Sequence, residues 1–322
     1  MVQQKKRYRY RLRRLTPVAA AVVLAALLGA WMGSRRASTE LASAAGPPRA
    51  VMHIGAPAQA AIVMPERLLV GGSLVKHTFA PKLNAKAAIL VDAKNGRVLW
   101  QLHAHERRHV ASTTKIMTAM LALRKLKAHD VVTVDKSVPR VPLVREGLRA
   151  GEKVQAWKLF YALMLYSGND DALALAIAAG GDKWTFIKQM NDEARRLGLR
   201  DTHFISPSGV RDTDNYSSAW DLAALSRVAM RSERFRKLVR TPVKRVKWSA
   251  PTFSKIYVNN NRLLRMYPGA NGIKTGYTHK AGPCLVASAT RGGVSLIAVV
   301  LDSPDMYTDA KRLLNLGFRS LS

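Results

Sequence analysis

Ala111-Ser-Thr-Thr-Lys-Ile-Met-Thr-Ala-Met-Leu-Ala-Leu123 is the stretch on which the reading of this chain turns. Its periodicity predicts a helix from Ser112 to about Lys127, with Ile116, Met117, Met120, Leu121 and Leu123 apolar on nearly every side. A helix that is apolar all round belongs in the middle of a core. Ser112 and Lys115 stand at its first turn, three residues apart and therefore on one face. A serine hydroxyl is a poor nucleophile until a neighbouring base takes its proton, and a lysine is a base only when its amine is partly neutral. Burial, the positive end of the helix dipole and a second cation would each lower the lysine pKa. The same terminus leaves backbone N–H groups unpaired, which suits a developing oxyanion. Standing alone, Ser-x-x-Lys is equally the start of an ordinary helix with a solvated lysine.

Two further strings follow in order. Ser167-Gly-Asn169 lies in the turn between a predicted helix, Trp157 to Tyr166, and another beginning after Asn169. A hydroxyl at Ser167 would pass a proton between Lys115 and a leaving amine. Asn169 would accept from Lys115 while donating to a substrate carbonyl; plain helix capping is the alternative. Lys274-Thr-Gly276 falls in a predicted strand, Gly272 to Thr278. Gly276 has no side chain, so a substrate backbone would approach closely and pair as an added strand. Lys274 and Thr275 would then hold a carboxylate, and Lys274 is the candidate second cation beside Lys115. The ordered set supplies a nucleophile with its base, a proton relay and an anion-holding strand.

Around these strings the pattern is legible. Ala87 to Asp92 reads as a strand that turns at Asn95-Gly96 and returns as Arg97 to Trp100. Residues 130–156 read as short strands and loops, followed by helices that include Trp184–Leu197 and Asp221–Met230. Strands then recur at Val243–Trp248, Lys255–Asn259, Cys284–Thr290 and Val294–Leu301, and a closing helix, Tyr307–Leu316, is expected to cap at Gly317. Strands at both ends with helices between predict an α/β fold of the α+β type, an antiparallel sheet covered by helices with an inserted helical lobe.

The 322 residues carry a formal charge of +31, which points to an anionic partner. The N-terminus narrows the choice. Residues 5–14 hold seven basic side chains and no acidic one, and a nearly unbroken apolar run extends from Leu15 to Met32. In a helix that run spans about 27 Å, enough to cross a bilayer. Residues 1–14 therefore read as a basic cytoplasmic flank and 15–33 as a signal-anchor, with Ala42-Ser-Ala44 a late cleavage site if it is instead a signal peptide. From residue 37 to 60, fifteen of 24 residues are Ala, Gly, Pro or Ser, so 34–80 reads as a tether. Residues 81–322 form the expected catalytic domain, outside the cytoplasm. That placement disfavours nucleic acid and leaves anionic envelope polymers. The single cysteine, Cys284, excludes an intrachain disulfide and begins an apolar run, as a buried inert thiol would.

The chain resembles the serine-type D-alanyl-D-alanine carboxypeptidases, the low-molecular-mass penicillin-binding proteins. The resemblance extends over about residues 84–318 and includes Ala111-Ser-Thr-Thr-Lys-Ile-Met-Thr118, Leu165-Tyr-Ser-Gly-Asn-Asp170, Asn191-Asp-Glu-Ala-Arg-Arg-Leu-Gly198, Trp220-Asp-Leu222 and Gly272-Ile-Lys-Thr-Gly-Tyr-Thr278. It implies a β-lactamase/transpeptidase-like fold, with peptidoglycan stem peptides as substrate and β-lactams as covalent inhibitors. It implies Ser112 as acylated nucleophile, Lys115 as base, and Ser167 and Asn169 as relay and positioning groups. Lys274 and Thr275 would anchor the carboxylate, and the backbone N–H groups of Ser112 and Tyr277 would form the oxyanion hole. Several members carry an arginine shortly before the final helix where this chain has Met306. Removal of a terminal D-Ala is the reading; cleavage of a D,D-crosslink breaks the same bond type. A β-lactamase would need a deacylating glutamate, for which Glu193 is the one offered by the segment after Asn169. No residue pattern calls for a metal or organic cofactor: His103, His105 and His109 match no strong zinc spacing. The stretch Arg231 to Lys247, with eight Lys or Arg, reads either as a solvated face or as a surface for anionic envelope components.

Overall fold

The structure, a computed structural model, describes residues 68, 81–210, 215–248 and 254–321. The chain begins with β1 (Ala87–Asp92), β2 (Val98–Leu102) and β3 (Arg108–His109). A 3-10 turn, Ala111–Thr114, leads into α1 (Lys115–Lys125), followed by β4 (Val131–Thr133) and β5 (Lys153–Gln155). Next come α2 (Ala156–Tyr161), a π-turn at Ala162–Tyr166, α3 (Asn169–Gly180) and α4 (Lys183–Arg196). They are followed by β6 (Tyr216–Ser217), α5 (Ala219–Ala229), α6 (Glu233–Val239), β7 (Val243–Val246) and β8 (Lys255–Val258). The chain closes with α7 (Leu263–Met266), β9 (Ala270–Thr278), β10 (Gly282–Arg291), β11 (Val294–Leu301) and α8 (Met306–Leu321).

The main sheet has the order β2-β1-β11-β10-β9 and is antiparallel throughout. Its strands are apolar on both faces because both are covered. Along β1, Ala87, Ile89 and Val91 face a core shared with α1, α3 and α5, while Ala88 and Leu90 face a second core under α8. The expected sheet with an inserted helical lobe is therefore present, with α8 and the short α7 on the far side.

Four details differ from the sequence reading. Ser112 lies on a 3-10 turn, and α1 begins at Lys115. The pair β7–β8 forms its own two-stranded sheet, and the basic stretch before it folds as α6, whose Phe235, Leu238 and Val239 are buried beneath the charges. Leu68, inside the expected tether, is buried in the larger core. Gly317 is no cap: α8 continues past it to Leu321. A Cβ at 317 would lie 2.6 Å from Leu296 Cδ1 and 3.1 Å from Leu90 Cδ2, so glycine is what lets α8 seat against the sheet. The apolar segment 15–33 lies outside the described residues, among which no helix is long and apolar enough to cross a membrane.

Because the core has no slack at Gly317, Gly317→Val is expected to destabilise the domain by about 1–3 kcal/mol through overpacking. Urea unfolding measures the loss, and an unchanged midpoint would contradict the close approach.

Candidate active site

Everything converges on the amine of Lys115, a side chain with no solvent exposure. Its Nζ lies 2.9 Å from Ser112 Oγ, 2.8 Å from Asn169 Oδ1 and 3.0 Å from the carbonyl of Ser208. Burial first, and the Lys274 ammonium second, hold the Lys115 amine well below the usual lysine value, against the opposing pull of Asp171 and Asp170. Asp171 is itself wholly buried, and burial, then Asp170 and Glu146, push its carboxyl well above the usual range. While that acid keeps its proton, its pull on Lys115 lapses. A neutral Lys115 has two N–H bonds, and Asn169 Oδ1 and Ser208 O take both. Its lone pair is then left for the Ser112 hydroxyl.

Each partner is fixed by a different part of the chain. The nucleophile turn closes on the Val110 carbonyl, which accepts from Thr113 N at 3.1 Å and Thr113 Oγ1 at 2.7 Å. Ala111 just before Ser112 has φ +46° and Ser167 has φ +73°. Left-handed backbone at non-glycine residues costs about 1–3 kcal/mol each, and two of the five among the described residues flank or carry a candidate serine. The Ser208 carbonyl is presented by a loop clamped to the same turn. Thr118 Oγ1 donates to Pro207 O at 2.6 Å, and Asn215 Nδ2 donates to Thr114 Oγ1 at 3.2 Å. Gly209, at φ +72°, packs so tightly that a Cβ would sit 2.0 Å from the Ala111 carbonyl oxygen.

Asn169 is buried, with Oδ1 on Lys115 and Nδ2 donating to Pro142 O at 3.0 Å. One amide hydrogen is thus spent on the 142–148 loop, leaving the other for any contact with substrate. The same loop is held by Asp170, whose carboxylate accepts from the N–H groups of Glu146, Gly147 and Leu148. Ser167 is on the wall of the cleft, and its hydroxyl engages no described protein group.

On the opposite wall, Lys274 is 1% exposed, its Nζ donates to Thr275 O at 3.1 Å, and burial lowers it to about 7. β9 is an edge strand whose Gly276 abuts the nucleophile turn. A Cβ there would come within 3.0 Å of Ser112 N and Val110 O. The missing side chain therefore admits the protein's own turn as well as room for a substrate. Opposite Tyr277 the ladder partner is Pro283, which has no N–H and whose carbonyl accepts from Ser303. The pair carries no ladder bond, so the Tyr277 N–H points off the open edge of the sheet.

These groups surround a cleft of about 760 Å³, lined by Ser112, Ser167, Thr275, Gly276 and Tyr277 among others. Sequence reading missed the Ser208 carbonyl at Lys115 and several of the cleft's walls: the apolar Val144, Tyr166 and Val258, and two guanidinium groups, Arg262 just before α7 and Arg265 on it. A carbonyl leaves no signature in residue type, and the arginines sit in a short helix with no motif of their own. Met306 lines the cleft at the start of α8, beside Tyr307, whose ring lies under the Arg262 guanidinium at 5.8 Å. Glu193 lies elsewhere, held by Arg124 and Arg196. His105 stacks on Trp220 and meets Asp201 at 3.1 Å, and His109 is in β3.

The sequence profile of the family described as D-alanyl-D-alanine carboxypeptidase matches residues 75–305. D-alanyl-D-alanine carboxypeptidase DacF of Bacillus subtilis is 36% identical over 231 residues, covering 70% of this chain and 59% of the relative. The D-alanyl-D-alanine carboxypeptidase of Streptomyces sp. (strain K15) is 35% identical over 284 residues, 81% of this chain and 98% of that protein. The chain thus spans less than two thirds of the Bacillus relative and nearly all of the Streptomyces one. The crystal structure of the Streptomyces K15 DD-transpeptidase superposes with a TM-score of 0.71 at 35% identity, covering 75% of this chain and 99% of that one.

The electrostatics predict a pH signature. Acylation needs the neutral amine of Lys115, so its rate should rise with pH through a limb well below the ordinary lysine value. Lys274→Gln removes one of the two causes that depress Lys115, and should move that limb to higher pH. Acylation by a fluorescent penicillin, followed across the neutral and alkaline range, measures it; an unmoved limb would show that Lys274 does not act on Lys115.

Proposed function

The chain belongs to the D-alanyl-D-alanine carboxypeptidase family, and from that membership we propose that it removes the terminal D-Ala from peptidoglycan pentapeptide stems through an acyl-enzyme. The observation that carries this reading is the buried Lys115 amine held 2.8 Å from Asn169 Oδ1 and 3.0 Å from Ser208 O, with Ser112 Oγ at 2.9 Å. Ser112 gives its proton to Lys115 and attacks the D-Ala-D-Ala carbonyl. The oxyanion gathers at the N–H groups of Ser112 and Tyr277, where one such donor is typically worth about 10²–10³ in rate. Ser167, hydroxyl unengaged, delivers a proton from Lys115 to the departing amine. Lys274 and Thr275 hold the carboxylate of the leaving D-Ala, and Arg262 and Arg265 add positive charge to the same wall where Met306 offers none. Water, deprotonated along the same route, releases the tetrapeptide. The chemistry uses only side chains and backbone of this chain.

The stem peptide binds as an added strand along β9, so its backbone pairs with the outward N–H and C=O groups of the edge. β-Lactams enter the same position because their carbonyl and carboxylate mimic the terminal dipeptide. The domain works outside the cytoplasm, joined to the membrane by residues 15–33 as an uncleaved anchor.

Three measurements follow. Benzylpenicillin should add one drug mass to the protein, mapped to Ser112 and absent in Ser112→Ala, and the native enzyme should release one alanine from a synthetic pentapeptide. Sparing of the pentapeptide with cleavage of crosslinked dimers would make the enzyme an endopeptidase, and rapid penicillin turnover would make it a β-lactamase. N-terminal sequencing of the mature protein should begin ahead of residue 15; a start near Ala45 would mean a cleaved signal.

A further inference from the structure

Away from the catalytic cleft, a second recess of about 370 Å³ opens where α6 and β7 meet α2. Its floor is aromatic and apolar: Trp157, Phe160 and Tyr161, with Leu123 and Leu238. Its other lining residues are Ala128, His129, Arg234, Lys237 and Lys244, and no acidic residue is among them. Lys158 and Lys244 both stand over the Trp157 ring at 5.8 Å, and Lys244 also stands over the Tyr161 ring at 5.1 Å.

The cations divide into two kinds. Arg234 is spent on the fold: its Nη1 donates to the Leu123 carbonyl and its Nη2 to the Leu126 carbonyl, both at 2.8 Å. Its charge remains, but its planar fork, the part that matches a carboxylate edge to edge, is occupied. Lys158, Lys237 and Lys244 have no ion-pair partner among the described residues. They are point charges around an aromatic floor. That arrangement suits a tetrahedral anion carrying its charge on several oxygens, attached to a unit whose C–H face rests on an aromatic ring.

We propose that this recess binds the phosphodiester-linked sugar or polyol units of an anionic envelope polymer. It goes beyond the D,D-carboxypeptidase reading and does not rest on it. A lipid surface is the poorer match. Membrane-docking surfaces present apolar side chains outward, whereas none of the exposed large apolar residues lines this recess, and its Leu123, Phe160, Tyr161 and Leu238 are buried at the bottom. The recess would hold the enzyme on its matrix while the cleft on another face works on stem peptides. It also gives a role to the basic stretch that the reaction leaves unused.

The test measures binding of the full chain in detergent to poly(glycerol phosphate), to a uronic-acid polymer of equal charge density and to vesicles of anionic lipid. Lys237→Glu with Lys244→Glu should weaken binding to poly(glycerol phosphate) about tenfold or more. The same net change at Lys136→Glu with Lys153→Glu, exposed lysines outside the recess, should weaken it no more than about twofold. Trp157→Leu, with charge unchanged, should weaken it as well. Alanine release from soluble pentapeptide, unaffected by the lysine pairs, reports that each variant is folded. Equal losses from the two lysine pairs would reduce the effect to bulk charge and overturn the proposal. So would tighter binding to the uronic-acid polymer or to vesicles, or full affinity in a folded Trp157→Leu.

Discussion

A lysine amine sealed from water is the constraint around which this domain is arranged. An unpaired ammonium in such a place is costly, so burial pulls the Lys115 pKa down and favours the neutral amine. The neutral amine still needs acceptors for its hydrogens, and Asn169 Oδ1 and Ser208 O provide them. Those acceptors come from the first residue of α3 and from a loop between α4 and β6, so packing of the helical lobe brings the lysine's partners together. Catalytic competence and completion of the fold are one event here.

The sheet and the lobe meet at two glycines. Gly276 lets β9 come against the nucleophile turn, and Gly209 lets the Ser208 loop come against the same turn from the other side. The turn is gripped between them, and strained backbone at Ala111 is sustained by that grip. Asp170, accepting three N–H groups from the 146–148 loop, fixes the remaining wall. Positions that look like spacers between reactive residues are thus the means by which those residues are held.

Much of this was legible in the sequence because it is written in residue type. Ser112, Lys115, Ser167 and Lys274 announce themselves by chemistry, and β1, β10 and β11 by their unbroken apolar runs. The failures have two physical forms: contacts made by backbone or by absence of side chain, and elements too charged or too short for their pattern to register. A carbonyl at Ser208 is contributed by a residue of any kind, and Gly317 reads as a cap until Leu296 and Leu90 are seen beside it. The run Arg231 to Arg240 hid α6 because its charges outnumber the three buried residues that anchor it. The Arg262 and Arg265 side chains reach the cleft from a four-residue helix, too short for any periodicity to register.

The open edge of β9 carries a consequence for how the protein lives among its own copies. An unpaired strand edge is a template for other strands, and two such molecules meeting edge to edge would begin an aggregate. Here the pairing of Tyr277 with Pro283 leaves backbone groups of β9 facing outward, while the nucleophile turn covers the sheet face over Gly276. An edge left open for a partner strand is thus also an edge that has to be kept from the wrong one.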